Sequence, residues 1–177
     1  MTINLPGSVG VLFQNPWVQR IRRNHGLEHA TLNVLAKRNP NISLAGHTDL
    51  GGFWILGDID TTELKAAVEQ ALSRLNAGDR HLAVHPNCGT NLAVAGLLST
   101  LAGLLGMVGA GRRLRDKLDR LPFAVALATL ALVVARPLGL ILQANITTSS
   151  DMNGLTIANI RATRRGWVRA HRVQTQG

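Results

Sequence analysis

The chain has 177 residues, room for one domain and an appendage, and a net charge of +9 from 19 Lys and Arg against 10 Asp and Glu. Hydrophobic residues make up 46% and aromatic residues 3%, with no Tyr, which speaks against a base-stacking nucleic-acid surface and for a membrane protein with basic residues beside anionic headgroups. The single cysteine, Cys88, excludes an intrachain disulfide framework.

Residues 1–16 contain Pro6, Gly7, Gly10 and Pro16, which break regular structure. They lack a basic stretch followed by an apolar one, so no cleavable signal peptide is expected. Leu12, Phe13 and Trp17 are apolar enough to touch a membrane interface or to pack on the domain. A helix is expected from about 17 to 38. Val18, Ile21, Leu32, Val34 and Leu35 give it an apolar side, and Asn39-Pro40 ends it. This helix carries His25-Gly26-Leu27-Glu28-His29, the pattern H-x-x-E-H. Residues four apart share a helix face, so His25 and His29 can offer two nitrogens to one metal ion, with Glu28 beside them.

A compact stretch follows. Ile42 to Ala45 and Phe53 to Leu56 read as strands around a turn at Thr48-Asp49-Leu50-Gly51-Gly52. Asp60 or Thr61 caps a helix with Leu64, Val68, Ala71, Leu72 and Leu75 at helical spacing, ended by Gly78. His81 to His85 alternates as a third strand, with both His on one face. Residues 1–91 are therefore expected to form an α-β-β-α-β module.

Leu92 to Gly111 carries no charge and is long enough to cross a bilayer. Ala102, Gly106 and Ala110 form a row of small residues, a surface for close packing and for homo-oligomers through these helices. Arg112 to Arg120 reads as a short basic loop, and Leu121 to Leu142 as a second apolar stretch interrupted by Arg136-Pro137. The expectation is an α+β membrane protein: the module, a transmembrane hairpin over 92–143, and a short basic tail over 144–177. A hairpin returns the tail to the module's side. The basic loop argues for a module outside, whereas the basic helix and tail and the lack of a signal argue for a cytoplasmic module in a bacterial cell membrane; the second reading is adopted.

A catalytic zinc usually takes three protein ligands and a water. His85-Pro86-Asn87-Cys88-Gly89-Thr90 is the best source of a third, with His85 first and Cys88 second, and Asp151 a further candidate. Taken alone, Cys88 reads more readily as a small buried hydrophobe, and Asp151 as a solvated turn residue. Arg136, charged within an apolar stretch, could bind a substrate carboxylate or stabilise an oxyanion, or else extend to the nearer interface. His47 and His171 have no motif around them and read as surface residues.

The pair His25-Gly26-Leu27-Glu28-His29 and His85-Pro86-Asn87-Cys88-Gly89-Thr90 resembles a little-characterised group of bacterial membrane proteins of unknown function. The resemblance spans most of the chain and implies an integral membrane protein with both motifs in one site. The five-residue motif alone is similar to that of the inverzincins, zinc peptidases in which both His bind zinc and the Glu is the base. That implies His25 and His29 as ligands and Glu28 as base. Those enzymes take a distant Glu as third ligand, and here only Glu63 and Glu69 remain, on a helix that reads as solvated. The expected activity is zinc-dependent hydrolysis of a protein or peptide near the bilayer. The alternative is a non-catalytic membrane subunit with a structural His/Glu site.

Overall fold

A computed structural model describes residues 13–177. The expectation of an irregular leader falls mostly on residues 1–12, outside that range. The chain divides into two compact units: residues 1–85 with 143–177, and residues 86–142.

In the first unit, α1 spans Pro16–Arg38, close to the expected range. The Asn15 side chain accepts the Trp17 N–H at 2.9 Å, and Pro16 begins the helix, where no N–H is needed. Phe13 lies under the Arg22 guanidinium at 4.9 Å, while Trp17 is exposed. Strands β1 (Ala45–Asp49) and β2 (Gly52–Leu56) pair antiparallel around the Leu50-Gly51 turn. The first strand thus lies over the residues read as part of the turn. Helix α2 (Thr61–Asn76) is capped by Asp60, whose carboxylate accepts the N–H groups of Thr62 and Glu63. Gly78, at φ +92, follows its end.

Residues 81–85 are not a strand. Arg80–Ala83 is a 3-10 turn. Its carbonyls are taken by α1 rather than by a neighbouring strand: the Asn33 amide donates to Leu82 O and Val84 O, both at 2.9 Å, and His29 Nδ1 holds Ala83 O. The stretch read as a basic tail instead contains β3 (Thr156–Arg165) and β4 (Val168–Gln176). The sheet order is β1-β2-β4-β3, all antiparallel, with β4 interior. A register shift between Ile157 and Asn159 lets Ile157 and Ile160, three residues apart, both pack against the core with Val173, and the arginines of the hairpin follow Ile160. Phe53 and Ile55 of β2 meet Leu27 and Leu35 of α1 and Leu64 and Val68 of α2 in one buried cluster closed by Leu82 and Met152.

The second unit is a pair of helices, α3 (Gly89–Gly106) and α4 (Leu114–Leu142). Both are long and apolar enough to cross a membrane. They pack closely: a Cβ on Gly106 would stand 2.5 Å from Ala124 Cα, and Ser99 donates to Ala128 O at 3.4 Å. Gly106, one member of the small-residue row, therefore faces the chain's own second helix. Much of the expected basic loop is helical. Asp116 accepts the Arg113 N–H at 3.3 Å and so starts α4 before its basic residues.

Candidate metal centre

Helix α1 presents His25, Glu28 and His29 on one side, and the segment 143–151 covers part of it. Gly26 makes that covering segment possible. A Cβ there would lie 2.0 Å from Ser149 O, so only glycine lets this backbone come so near. Ser149 N donates to Arg22 O at 2.8 Å, and Arg22 Nη2 donates to Asn145 O and Thr148 O, each at 3.0 Å. Gln143, fully buried at the start of the segment, accepts the His85 backbone N–H at 2.9 Å.

The imidazoles of His25 and His29 meet edge to face with centroids 4.3 Å apart, and the His85 ring lies 5.9 Å from that of His29. His25 Nδ1 is 3.0 Å from Thr147 O, and His29 Nδ1 is 2.9 Å from Ala83 O. A carbonyl only accepts, so each ring donates from Nδ1, and in the neutral tautomer that this selects, Nε2 is the nitrogen left to ligate. Backbone carbonyls commonly hold metal-binding imidazoles in this way. Burial, with the neighbouring His29, pushes His85 below its usual pKa and favours the neutral, ligating form.

Glu28 is 4% exposed. Its carboxylate points at β1, where the Thr48 hydroxyl donates to Oε2. A Cβ on Gly46 would collide with Oε1 at 2.0 Å, so the missing side chain makes room for the carboxylate. Burial raises the Glu28 pKa; the Thr48 hydrogen bond and the nearby His25 and His47 pull it back only in part.

The structure thus brings His25, Glu28, His29 and His85 together within the module. Cys88 is buried and caps α3, its sulfur accepting the Thr90 N–H at 3.4 Å. Imidazoles are ordinary zinc donors, and His25 and His29 offer two of them within the module, while Cys88 belongs to the second unit. Asp151 is exposed, in a turn where it accepts the Asn153 N–H at 3.2 Å. Arg136 is exposed on α4. His47 lies exposed on β1, but His171 is buried on β4, its Nε2 2.9 Å from the Thr61 hydroxyl. That corrects the surface reading of His171, which rested on the absence of a motif around it.

Sequence reasoning missed the partners that hold these groups: Thr48, Gly46, Gln143, and the carbonyls of Ala83 and Thr147. Only the glycine inside the motif was a visible signal. A polar cleft of about 750 Å³ adjoins the site, bordered by Arg22, Arg80, Ala83, Thr148 and Ser149. It touches residues that support the imidazoles, not the imidazoles themselves.

Fold and site together define a class: a small α/β module with a histidine cluster compatible with a metal, joined in sequence to two helices apolar enough to span a membrane. The chain belongs to the DUF6391 family, a domain of unknown function, whose model matches residues 20–160. It is 40% identical over 143 residues to an uncharacterized protein of Picosynechococcus sp., covering 75% of this chain and 68% of that protein. No solved structure matches.

Proposed function

We propose that this protein is a membrane-anchored metalloprotein that binds zinc through His25 and His29, and that it hydrolyses peptide bonds. The observation that carries the metal reading is the pair of Nδ1–carbonyl hydrogen bonds, which select in two imidazoles one helical turn apart the tautomer that ligates through Nε2. The third donor is His85 or Cys88. His85 is already beside His29. Cys88 follows it by three residues, a span of at most about 11 Å of chain.

Bound zinc would lower the pKa of a coordinated water to about 7. Glu28 would be the group that accepts a proton from the attacking water and returns it to the leaving amine. Its burial raises its proton affinity above that of an ordinary carboxylate, the direction a general base gains from. Thr48 holds one carboxylate oxygen and so fixes the direction of the other. The two apolar helices favour a substrate presented at a bilayer, such as a membrane-protein segment.

A second reading is favoured by one observation. Glu28 is almost wholly buried and directed at β1, as in a carboxylate that only ties a helix to a sheet. The protein would then be a non-catalytic membrane subunit. The test is metal analysis of the detergent-purified chain beside His25→Ala, His85→Ala and Cys88→Ala, with peptide hydrolysis compared for wild type and Glu28→Gln. The peptidase reading expects about one zinc per chain, lost in His25→Ala, and hydrolysis reduced at least 100-fold in Glu28→Gln with zinc retained. Zinc without hydrolysis of any membrane peptide would leave the subunit reading. Absence of zinc after reconstitution would sink the peptidase reading and leave the subunit in front.

A further inference from the structure

The strands β3 and β4 end in a turn whose sequence is Arg164-Arg165-Gly166-Trp167-Val168-Arg169. Trp167 is 95% exposed and Val168 is 49% exposed. A large ring held in water at the tip of a hairpin is unfavourable unless something covers it. The charges carried by the hairpin itself are of one sign. Residues 156–177 hold five arginines and no Asp or Glu. Two of the five are compensated from outside: Arg169 by Asp58 at 2.7 Å and Arg172 by Asp49 at 2.6 Å. Arg161, Arg164 and Arg165 have no ion pair among the described residues. Arg165 stacks on Trp54 at 5.3 Å, which keeps its charge on the open face of the sheet.

Trp beside Arg is the combination that settles at a membrane interface, the ring at headgroup depth and the guanidinium groups on phosphates. The chain itself provides the surface, because the hairpin follows α4 after only residues 143–155. We propose that the β3–β4 tip docks on a bilayer containing anionic phospholipid, with Trp167 and Val168 in the interface and Arg161, Arg164 and Arg165 on headgroup phosphates. This rests on the reading that α3 and α4 cross a membrane; it is independent of the metal. It makes the hairpin a second attachment, one that answers to lipid charge.

The full chain is reconstituted into nanodiscs of phosphatidylcholine alone or mixed equally with phosphatidylglycerol, each with and without brominated acyl chains. Trp167 emission is isolated by subtracting the Trp167→Phe variant. Expected is bromine quenching of Trp167 in the anionic discs, which is lost in neutral discs and in the Arg161→Gln/Arg164→Gln variant. Equal quenching in every disc would overturn the headgroup recognition. A red-emitting, unquenched Trp167 would overturn docking altogether. So would a blue-shifted, unquenched one, which would place a protein or a second copy over the tip. A chain that never enters the discs would remove the membrane reading itself, a failure distinct from that of the tip.

Discussion

Replacing Gly26 by Ala tests how the candidate site is built. In an ordinary helix interior the change stabilises by about 1 kcal/mol. Here the new Cβ would stand 2.0 Å from Ser149 O, whereas ordinary contact begins at 3.4 Å, so the covering segment must retreat by about 1.4 Å. No side-chain rotation relieves the collision, because the obstructing atom is backbone. The retreat would pull apart the Ser149–Arg22 bond of 2.8 Å and stretch the His25–Thr147 bond of 3.0 Å. Two such bonds are worth about 1 kcal/mol each. Strain from overpacking adds roughly 1–3 kcal/mol. Against the gain in helix propensity, the net loss is about 2–4 kcal/mol. For a module of this size that lowers Tm by roughly 8–16 °C. The assay is thermal unfolding of the detergent-solubilised chain followed by Trp fluorescence, paired with zinc competition. Zinc affinity should fall by about 10–100-fold as His25 loses the carbonyl that orients it. A variant with unchanged or higher Tm and wild-type zinc affinity would refute the reasoning and leave Gly26 as a merely tolerated helical glycine.

Two further outcomes follow from the same geometry. Thr48→Val removes the hydroxyl from the buried Glu28 carboxylate, and urea unfolding should show a loss of about 1–3 kcal/mol; an unchanged midpoint would mean that the carboxylate finds water instead. His171 titrates below its usual value because burial disfavours its charged form, with Asp60 opposing in part. The unfolded chain then binds more protons than the folded one below about pH 6.5, so stability should fall as pH drops through that point and level off above it. Urea midpoints at pH 5.5 and 7.5 for wild type and His171→Gln measure this; the pH dependence should flatten in the variant, and an identical slope in both would assign it elsewhere.

The motif helix was legible because its signals agreed: Asn15-Pro16 at the start, apolar spacing along it, and Lys37-Arg38-Asn39-Pro40 at the end. Helix α2 was legible from Asp60 and Gly78 for the same reason. The apolar pair of helices announced itself by composition. The third strand was misread because two-residue alternation over five positions does not show where the carbonyls bond. Asn33 and His29 claim them, and both lie some fifty residues away. The C-terminal hairpin was hidden by its arginines. On an open sheet face they are compatible with a strand, yet in sequence they resemble a solvated tail. In the site, the two imidazoles were visible and their orientation was not. Backbone carbonyls carry no residue signature, so nothing in the letters at 83 or 147 marks them as partners.

The sheet order has a consequence for synthesis. Strand β2 is complete early, but its inner neighbour is the last strand of the chain, with Gly52 paired to Gln174. At about 5–20 residues per second, the 122 positions between them take roughly 6–24 s to translate. Throughout that interval the edge of β2 stays open, and both apolar helices emerge while it waits. The module can therefore close only after the helices have left the ribosome. A chain stalled or clipped before residue 168 would keep the H-x-x-E-H helix but lack the strand that seals the sheet behind it, exposing Phe53 and Ile55 to quality-control proteases.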